Sequence, residues 1–177
     1  MSVIQITDEA FAAFGRAVPG IPTQSLMAVV ARFPLPAQGM VYSPREDDLH
    51  ALLDFTPWGE ALYADMPYQL GHCAGSNDRA DVLVRHGGST YLQSDTAFDL
   101  LLAPRWDPHP RRCHIPADTL IELYGDTLRS APLGHDFRIL VLLPYATNTA
   151  WQGDALARNT WAVHADSAQQ AGDTRFL

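Results

Sequence analysis

Lysine is absent from this 177-residue chain, so all 12 basic side chains are arginine. Schiff-base chemistry on a lysine is therefore excluded. Charge is scarce: charged residues make up 18% of the chain, and 20 acids against 12 bases leave a net charge of −8. That balance argues against nucleic acid and anionic membrane surfaces as partners. The two cysteines, Cys73 and Cys113, are far apart and lack C-x-x-C spacing. They read as reduced thiols of a cytoplasmic protein, not as a disulfide framework. No apolar run approaches the about 18 residues that would mark a membrane span. The start, Met1-Ser2-Val3-Ile4-Gln5, lacks the basic and apolar regions of a secretory signal. Phosphate-loop, HExxH and GxSxG patterns are missing too, so no nucleotide cofactor is expected.

What is present is ordinary globular composition, 47% apolar, broken by 13 prolines and 12 glycines. A domain of this length buries roughly 70% of its unfolded surface and needs no covalent staple. Frequent Gly and Pro favour many short strands over a helix bundle. We read residues 1–177 as a single domain in three stretches: a helical and loop N-terminal part over 1–63, a barrel core over 64–147, and a wrapping tail over 148–177.

In the first stretch, Thr7-Asp8-Glu9 opens a helix with acids where the dipole favours them. Ala10, Phe11 and Phe14 share a side, and Gly15 closes the helix. Ser25 opens a second helix, with Leu26, Met27, Val29, Val30 and Phe33 at helical spacing until Pro34. Residues 34–48 read as loop with an extended Met40-Val41-Tyr42, and 47–63 as one more short helix around Leu49, Leu52 and Leu53. From residue 66, short apolar or alternating runs follow at 67–73, 81–86, 90–93, 97–103, 112–115, 119–124 and 137–143. This is the pattern of a sandwich or barrel. Arg138 to Leu143 is nearly all apolar, hence a central strand buried on both faces. The tail carries Trp151 and Trp161 in polar surroundings and is expected to wrap the barrel or reach a second subunit.

Candidate chemistry follows from strand alternation. Val82, Val84 and His86 share one face, so His86 is either a hydrogen-bonded core residue or a ligand. The Gly87-Gly88 turn lets the next strand fold back and bring Thr90 or Tyr91 near it. Leu120, Glu122 and Tyr124 share a face as well. A carboxylate among apolar neighbours needs compensation, and such surroundings raise its pKa toward general acid–base use. The alternative is a solvent-facing Glu122. Arg129 lies seven positions on, across a Gly turn that would bring it alongside Glu122. There it forms an ion pair or grips an anionic substrate group in bidentate fashion. His72 alternates with Leu70 and Tyr68, opposite Gln69, Gly71 and Cys73. It offers a second imidazole to the His86 site or sits on its rim.

Several separated runs carry a resemblance. Asp65-Met66-Pro67-Tyr68-Gln69-Leu70-Gly71-His72-Cys73-Ala74-Gly75-Ser76-Asn77 is similar to the run E-M-P-I-Q-I-G-Y-C-N-G-x-N of the cupin-like family DUF4867. The likeness continues at Arg85-His86, Ile115-Pro116-Ala117-Asp118, Ile121-Glu122-Leu123-Tyr124, Thr127-Leu128, Ala131-Pro132, Leu143-Pro144, Thr147-Asn148-Thr149 and Ala157-Arg158-Asn159-Thr160-Trp161 with His164. More faintly, Ile6 to Gly15 resembles the start of ureidoglycolate lyase, another small cupin-type enzyme. The resemblance implies a mainly β fold, a cupin (double-stranded β-helix or jelly-roll barrel) with short N-terminal helices, and hints at sugar or sugar-acid metabolism. By the family pattern an acid stands at Thr90, a His at Arg129, a Gly at Asp118 and a Tyr at His72. This chain therefore lacks two ligand positions and gains an imidazole.

The resulting expectation is a cytoplasmic cupin enzyme. It would be an isomerase or lyase acting on a sugar-derived or hydroxy- or keto-acid metabolite. Glu122 and His86 are the catalytic candidates. Arg129, His72, Gln69, Tyr91 and Tyr124 would contact a small anionic or polar substrate. With metal assistance, His86, Glu122 and His72 would hold a divalent Mn, Fe, Ni or Zn ion. The rival reading is a catalytically degenerate cupin that binds or senses a small metabolite. By analogy with cupins, the chain is expected to form a homodimer.

Overall fold

Strand pairing turns the alternating pattern of the central region into two facing sheets. In a computed structural model the described residues are 3–52, 58–64, 66–80, 82–104, 106, 109–145 and 161–164. The strands are β1 Ile4–Gln5, β2 Gly15–Ala17, β3 Met40–Ser43, β4 Tyr68–Asn77, β5 Val82–Arg85 and β6 Thr90–Ser94. They continue with β7 Phe98–Pro104, β8 Arg111–Ile115, β9 Ile121–Leu123, β10 Thr127–Arg129, β11 Gly134–Pro144 and β12 Trp161–His164. One six-stranded sheet runs β1-β8-β7-β10-β5-β12 and the other β2-β9-β6-β11-β4-β3. Sequence neighbours are repeatedly split between the sheets, which winds the chain into the jelly-roll barrel of a cupin.

Alternation sorts side chains between two cores. Phe98, Leu100 and Leu102 of β7 and Cys113 and Ile115 of β8 point into the barrel. There they meet Leu92, Ile121, Leu123, Ile139 and Val141 of the opposite sheet. Each such apolar side chain contributes about 1.5–3 kcal/mol relative to exposure. The outer face of the second sheet is covered as well. Leu70, Tyr91, Leu120, Leu140 and Leu142 pack there against Leu26, Val30, Leu49 and Tyr63 of the N-terminal part. β11 thus contributes Ile139, Val141 and Leu143 inward and Leu140 and Leu142 outward. It lies between β6 and β4, the central doubly buried strand that its composition implied.

The N-terminal covering layer consists of α1 Gln24–Val30, α2 Asp47–His50 and α3 Trp58–Tyr63. The helix expected from Thr7 is one 3-10 turn, Glu9–Ala13. Gly15 does not cap it but starts β2, which pairs with β9. A Cβ on Gly15 would run into the Glu122 carbonyl, so only glycine lets these strands meet. Gly71 plays the same part between β4 and the end of β3, against the Ser43 carbonyl. Two helices occupy the region read as one helix over 47–63, with residues 53–57 outside the described set. Trp161 lies on β12, which extends the first sheet by pairing with β5. Trp151 and the rest of the tail lie outside the described residues. Cys73 and Cys113 are buried free thiols.

Candidate functional site

Between the sheets lies a cavity of about 300 Å³. Its walls are mostly apolar: Met40, Val84, Leu92, Leu100, Ile139 and Val141, with Cys73. Tyr42, His86 and Arg129 supply polarity, and the segment Ser130-Ala131-Pro132 closes one side. The volume is at the small end of the range for ligand pockets, and the mixture of apolar walls with a few polar groups is their usual composition.

Arg129 is placed there by β10. Its backbone pairs with Leu102 of β7 and Val84 of β5, both inward-facing residues. The side chain is 9% exposed. Burial pulls its guanidinium below its ordinary value, to about 10, with the Tyr42 and Tyr63 phenols pulling the other way. Among the described residues no carboxylate pairs with it. A buried cation without a counter-ion is costly. Burial also lifts the Tyr42 phenol well above its ordinary value, so it stays a hydroxyl donor at neutral pH. The Cys73 thiol is pushed up to about 12 by burial, which leaves it an unreactive wall group. His86 is 3% exposed and shares the cavity, as the face it shares with Val84 implied. Thr90 also faces the interior, opposite Leu123, and is completely buried. Its Oγ1 has no hydrogen-bond partner among the described residues.

Glu122 and His72 are elsewhere, which corrects the assembled site expected above. On β9 the inward positions are Ile121 and Leu123, so Glu122 points to the outer face, in register with Tyr91. Its partner is Arg16, whose Nε donates to Glu122 Oε2 at 2.7 Å, and not Arg129. Tyr91 lies on the same outer face and donates its hydroxyl to the Leu62 carbonyl at 3.2 Å. His72 pairs across the sheet with Leu140 and stacks on Phe33 at 3.9 Å, also outside the barrel. Its Nδ1 is 3.0 Å from Glu46 Oε1. Burial holds the His72 imidazole below its ordinary value against the opposing pull of Glu46. Tyr124 is 38% exposed beyond the end of β9. Gln69 faces inward beside Leu143 but outside the cavity lining.

Of the seven candidates, then, His86 and Arg129 share the cavity. Tyr42 was missed, although Met40 and Tyr42 stand two apart on one strand face and so share a wall. The proposed metal set of His86, Glu122 and His72 is split by the barrel wall. Among the described residues no three His, Cys, Asp or Glu side chains gather closely enough to hold an ion. The cavity offers one imidazole, a protonated thiol, a phenol and a permanent cation, a donor set that does not fit a divalent metal. A second, polar pocket on the outer side of the first sheet holds Asp99, which takes Arg112 Nε at 2.8 Å and His114 Nδ1 at 2.7 Å.

The two-sheet fold with a largely apolar cavity between the sheets is that of a cupin-type barrel. Residues 3–171 match the family described as Domain of unknown function (DUF4867), and the chain belongs to that family. No curated protein sequence matches it. Among solved structures, it is similar to an oxidoreductase of the 2OG-Fe(II) oxygenase family from Burkholderia pseudomallei. That pair has 11% identity and a TM-score of 0.49, covering 80% of this chain and 93% of the other. It is also similar to the non-heme alpha ketoglutarate dependent epimerase SnoN from nogalamycin biosynthesis, with 14% identity and a TM-score of 0.47, covering 84% and 90%.

Proposed function

We propose that this barrel acts on a small organic anion, gripping the carboxylate with Arg129 and moving a proton with His86. The observation that carries this reading is the buried guanidinium of Arg129, which faces a cavity with no carboxylate partner among the described residues. A carboxylate entering the cavity would satisfy that charge with paired, charge-assisted hydrogen bonds. His86 lines the same space, and imidazole is the side chain suited to proton transfer near neutral pH. In a hydroxy- or oxo-acid, His86 would take a proton from the carbon beside the carbonyl. The Arg129 charge would then stabilise the enolate that develops, in a space from which apolar walls exclude water. Where the carbon that loses its proton bears a hydroxyl, protonation of the former carbonyl carbon with loss of the hydroxyl proton is isomerisation; where the next carbon along carries a leaving group, its departure with the bonding pair as the carbonyl re-forms is β-elimination, the lyase outcome. Both keep the expected reaction class, and neither uses Glu122 or a metal.

One observation favours the second reading, a binding or sensing module. With Glu122 on the outer face, the described residues of the lining hold one imidazole, His86, and no Asp or Glu side chain. Exchange of the substrate's carbon-bound hydrogen in heavy water, followed by proton NMR, separates the two. The enzyme reading expects exchange that His86→Ala abolishes while binding survives, and that Arg129→Met abolishes together with binding. Tight binding to the unaltered protein without any exchange would leave the sensing module standing and sink the enzyme.

A further inference from the structure

The lining of the cavity also restricts what the anion looks like, an argument that rests on the reading just given. Among the described residues Arg129 is the one permanently charged group in the wall. It balances a single negative charge. A second carboxylate would lie against Leu92, Leu100, Ile139 or Val141 without a counter-charge. The supply of hydrogen bonds is equally short. Ser130 is already committed: its Oγ donates to the Ala131 carbonyl at 2.7 Å and accepts the Leu101 N–H at 3.0 Å. The strands contribute their backbone groups to ladders. Among the described residues the other polar side chains of the wall are Tyr42, His86 and Arg129. Size sets the last limit. The cavity of about 300 Å³ lies at the small end of the range for ligand pockets.

We propose that the ligand is a compact monocarboxylate with an apolar body, such as a branched aliphatic 2-oxo acid whose chain carries one hydroxyl or leaving group. A sugar acid of the same size does not suit this cavity. Its row of hydroxyls would exceed the polar partners available, and each hydroxyl buried without one costs about a factor of ten in affinity. The carboxylate sits on Arg129, the oxo group is within the polar cluster of Tyr42 and His86, and the branched end packs on the aliphatic wall. This narrows the expectation of a sugar-derived substrate drawn from the family resemblance.

Isothermal titration calorimetry on the full chain tests the assignment with four probes: 4-methyl-2-oxopentanoate, its neutral amide, gluconate and 2-oxoglutarate. The expected result is saturable binding of 4-methyl-2-oxopentanoate, with the other three weaker by at least about tenfold, the cost of one stranded polar or charged group. Arg129→Met should abolish the preference for acid over amide. Should that variant fail to fold, the comparison of acid with amide on the unaltered chain carries the same test. Gluconate or 2-oxoglutarate binding as tightly as the branched acid would overturn the ligand class and leave the Arg129 anion site standing. An amide binding as well as its acid, or no binding of any of the acids, would overturn both this inference and the function from which it starts.

Discussion

Replacing Arg129 with methionine asks whether the buried guanidinium is kept for a ligand or for the fold. Its pKa falls below the ordinary value to about 10 because burial disfavours the charged form. That displacement corresponds to about 3 kcal/mol held against the folded state. A base whose pKa is depressed on folding binds fewer protons folded than unfolded, here between about pH 10 and pH 12.5. Stability from this group therefore rises with pH only across that window, and the full cost is present at pH 7. Methionine has a similar length and suits the neighbouring Val84 and Leu102. Exchanging a buried charge for an apolar group of like volume is commonly neutral or stabilising by 1–4 kcal/mol. We expect Arg129→Met to gain about 2 kcal/mol without ligand, which raises Tm by roughly 4–8 °C for a chain of this size. Urea unfolding near pH 7 gives the free energy, and an unchanged slope shows that the unfolded reference has not moved. Ligand should raise the Tm of the unaltered protein and leave that of the variant unmoved. A loss of stability in the ligand-free variant would refute the reasoning, because it would mean that Arg129 already holds a partner within the chain.

Three further outcomes follow from the geometry. Glu122→Gln, which weakens the contact with Arg16 on the outer face, should lower Tm while leaving ligand affinity unchanged in calorimetry; a tenfold loss of affinity would put Glu122 in the cavity after all. Gly71→Ala should cost about 1–3 kcal/mol in urea unfolding, since the added Cβ meets the Ser43 carbonyl and pushes β3 off β4; a neutral effect would show that the strands have room. Acidification should destabilise the chain from about pH 6.5 downward, because burial lowers the imidazoles of His50 and His72 below 6.5. The unfolded chain then binds more protons in the window between the folded values and 6.5, so stability falls as pH falls through it. His50 accepts the Leu70 N–H at 3.0 Å, a bond that its protonation breaks. The variant His50→Gln should flatten the slope of Tm against pH; an unchanged slope would locate the sensitivity elsewhere.

The barrel was legible because its strands alternate or run apolar between Gly and Pro breaks. β11 read as central from composition, and it lies between β6 and β4. His86 lines the cavity because it stands two positions from Val84, whose face is the interior. The same logic failed at Glu122 and His72 for a definite reason. Both sit among apolar neighbours, yet those neighbours belong to the outer core beneath the N-terminal helices. A sheet covered on both faces makes burial uninformative about which face meets the cavity. Leu120, Glu122 and Tyr124 did share a face, but the inward set was Ile121 and Leu123. Counting positions across the turn puts Arg129 alongside Glu122, as ion-pair partner or as a grip on an anion; β10 instead pairs with β5 and β7 and turns it inward. Tyr42 escaped notice because β3 is short and its partner on β4, Cys73, is distant in sequence.

The most direct test of the account is a crystal structure of the full chain soaked with the tightest-binding acid of the calorimetric series. The account predicts the carboxylate within hydrogen-bond reach of the Arg129 guanidinium, between the two sheets, with His86 facing the carbon beside it. Ligand density on the outer face beside Arg16 and Glu122, or a carboxylate of the chain itself already seated on Arg129, would contradict it.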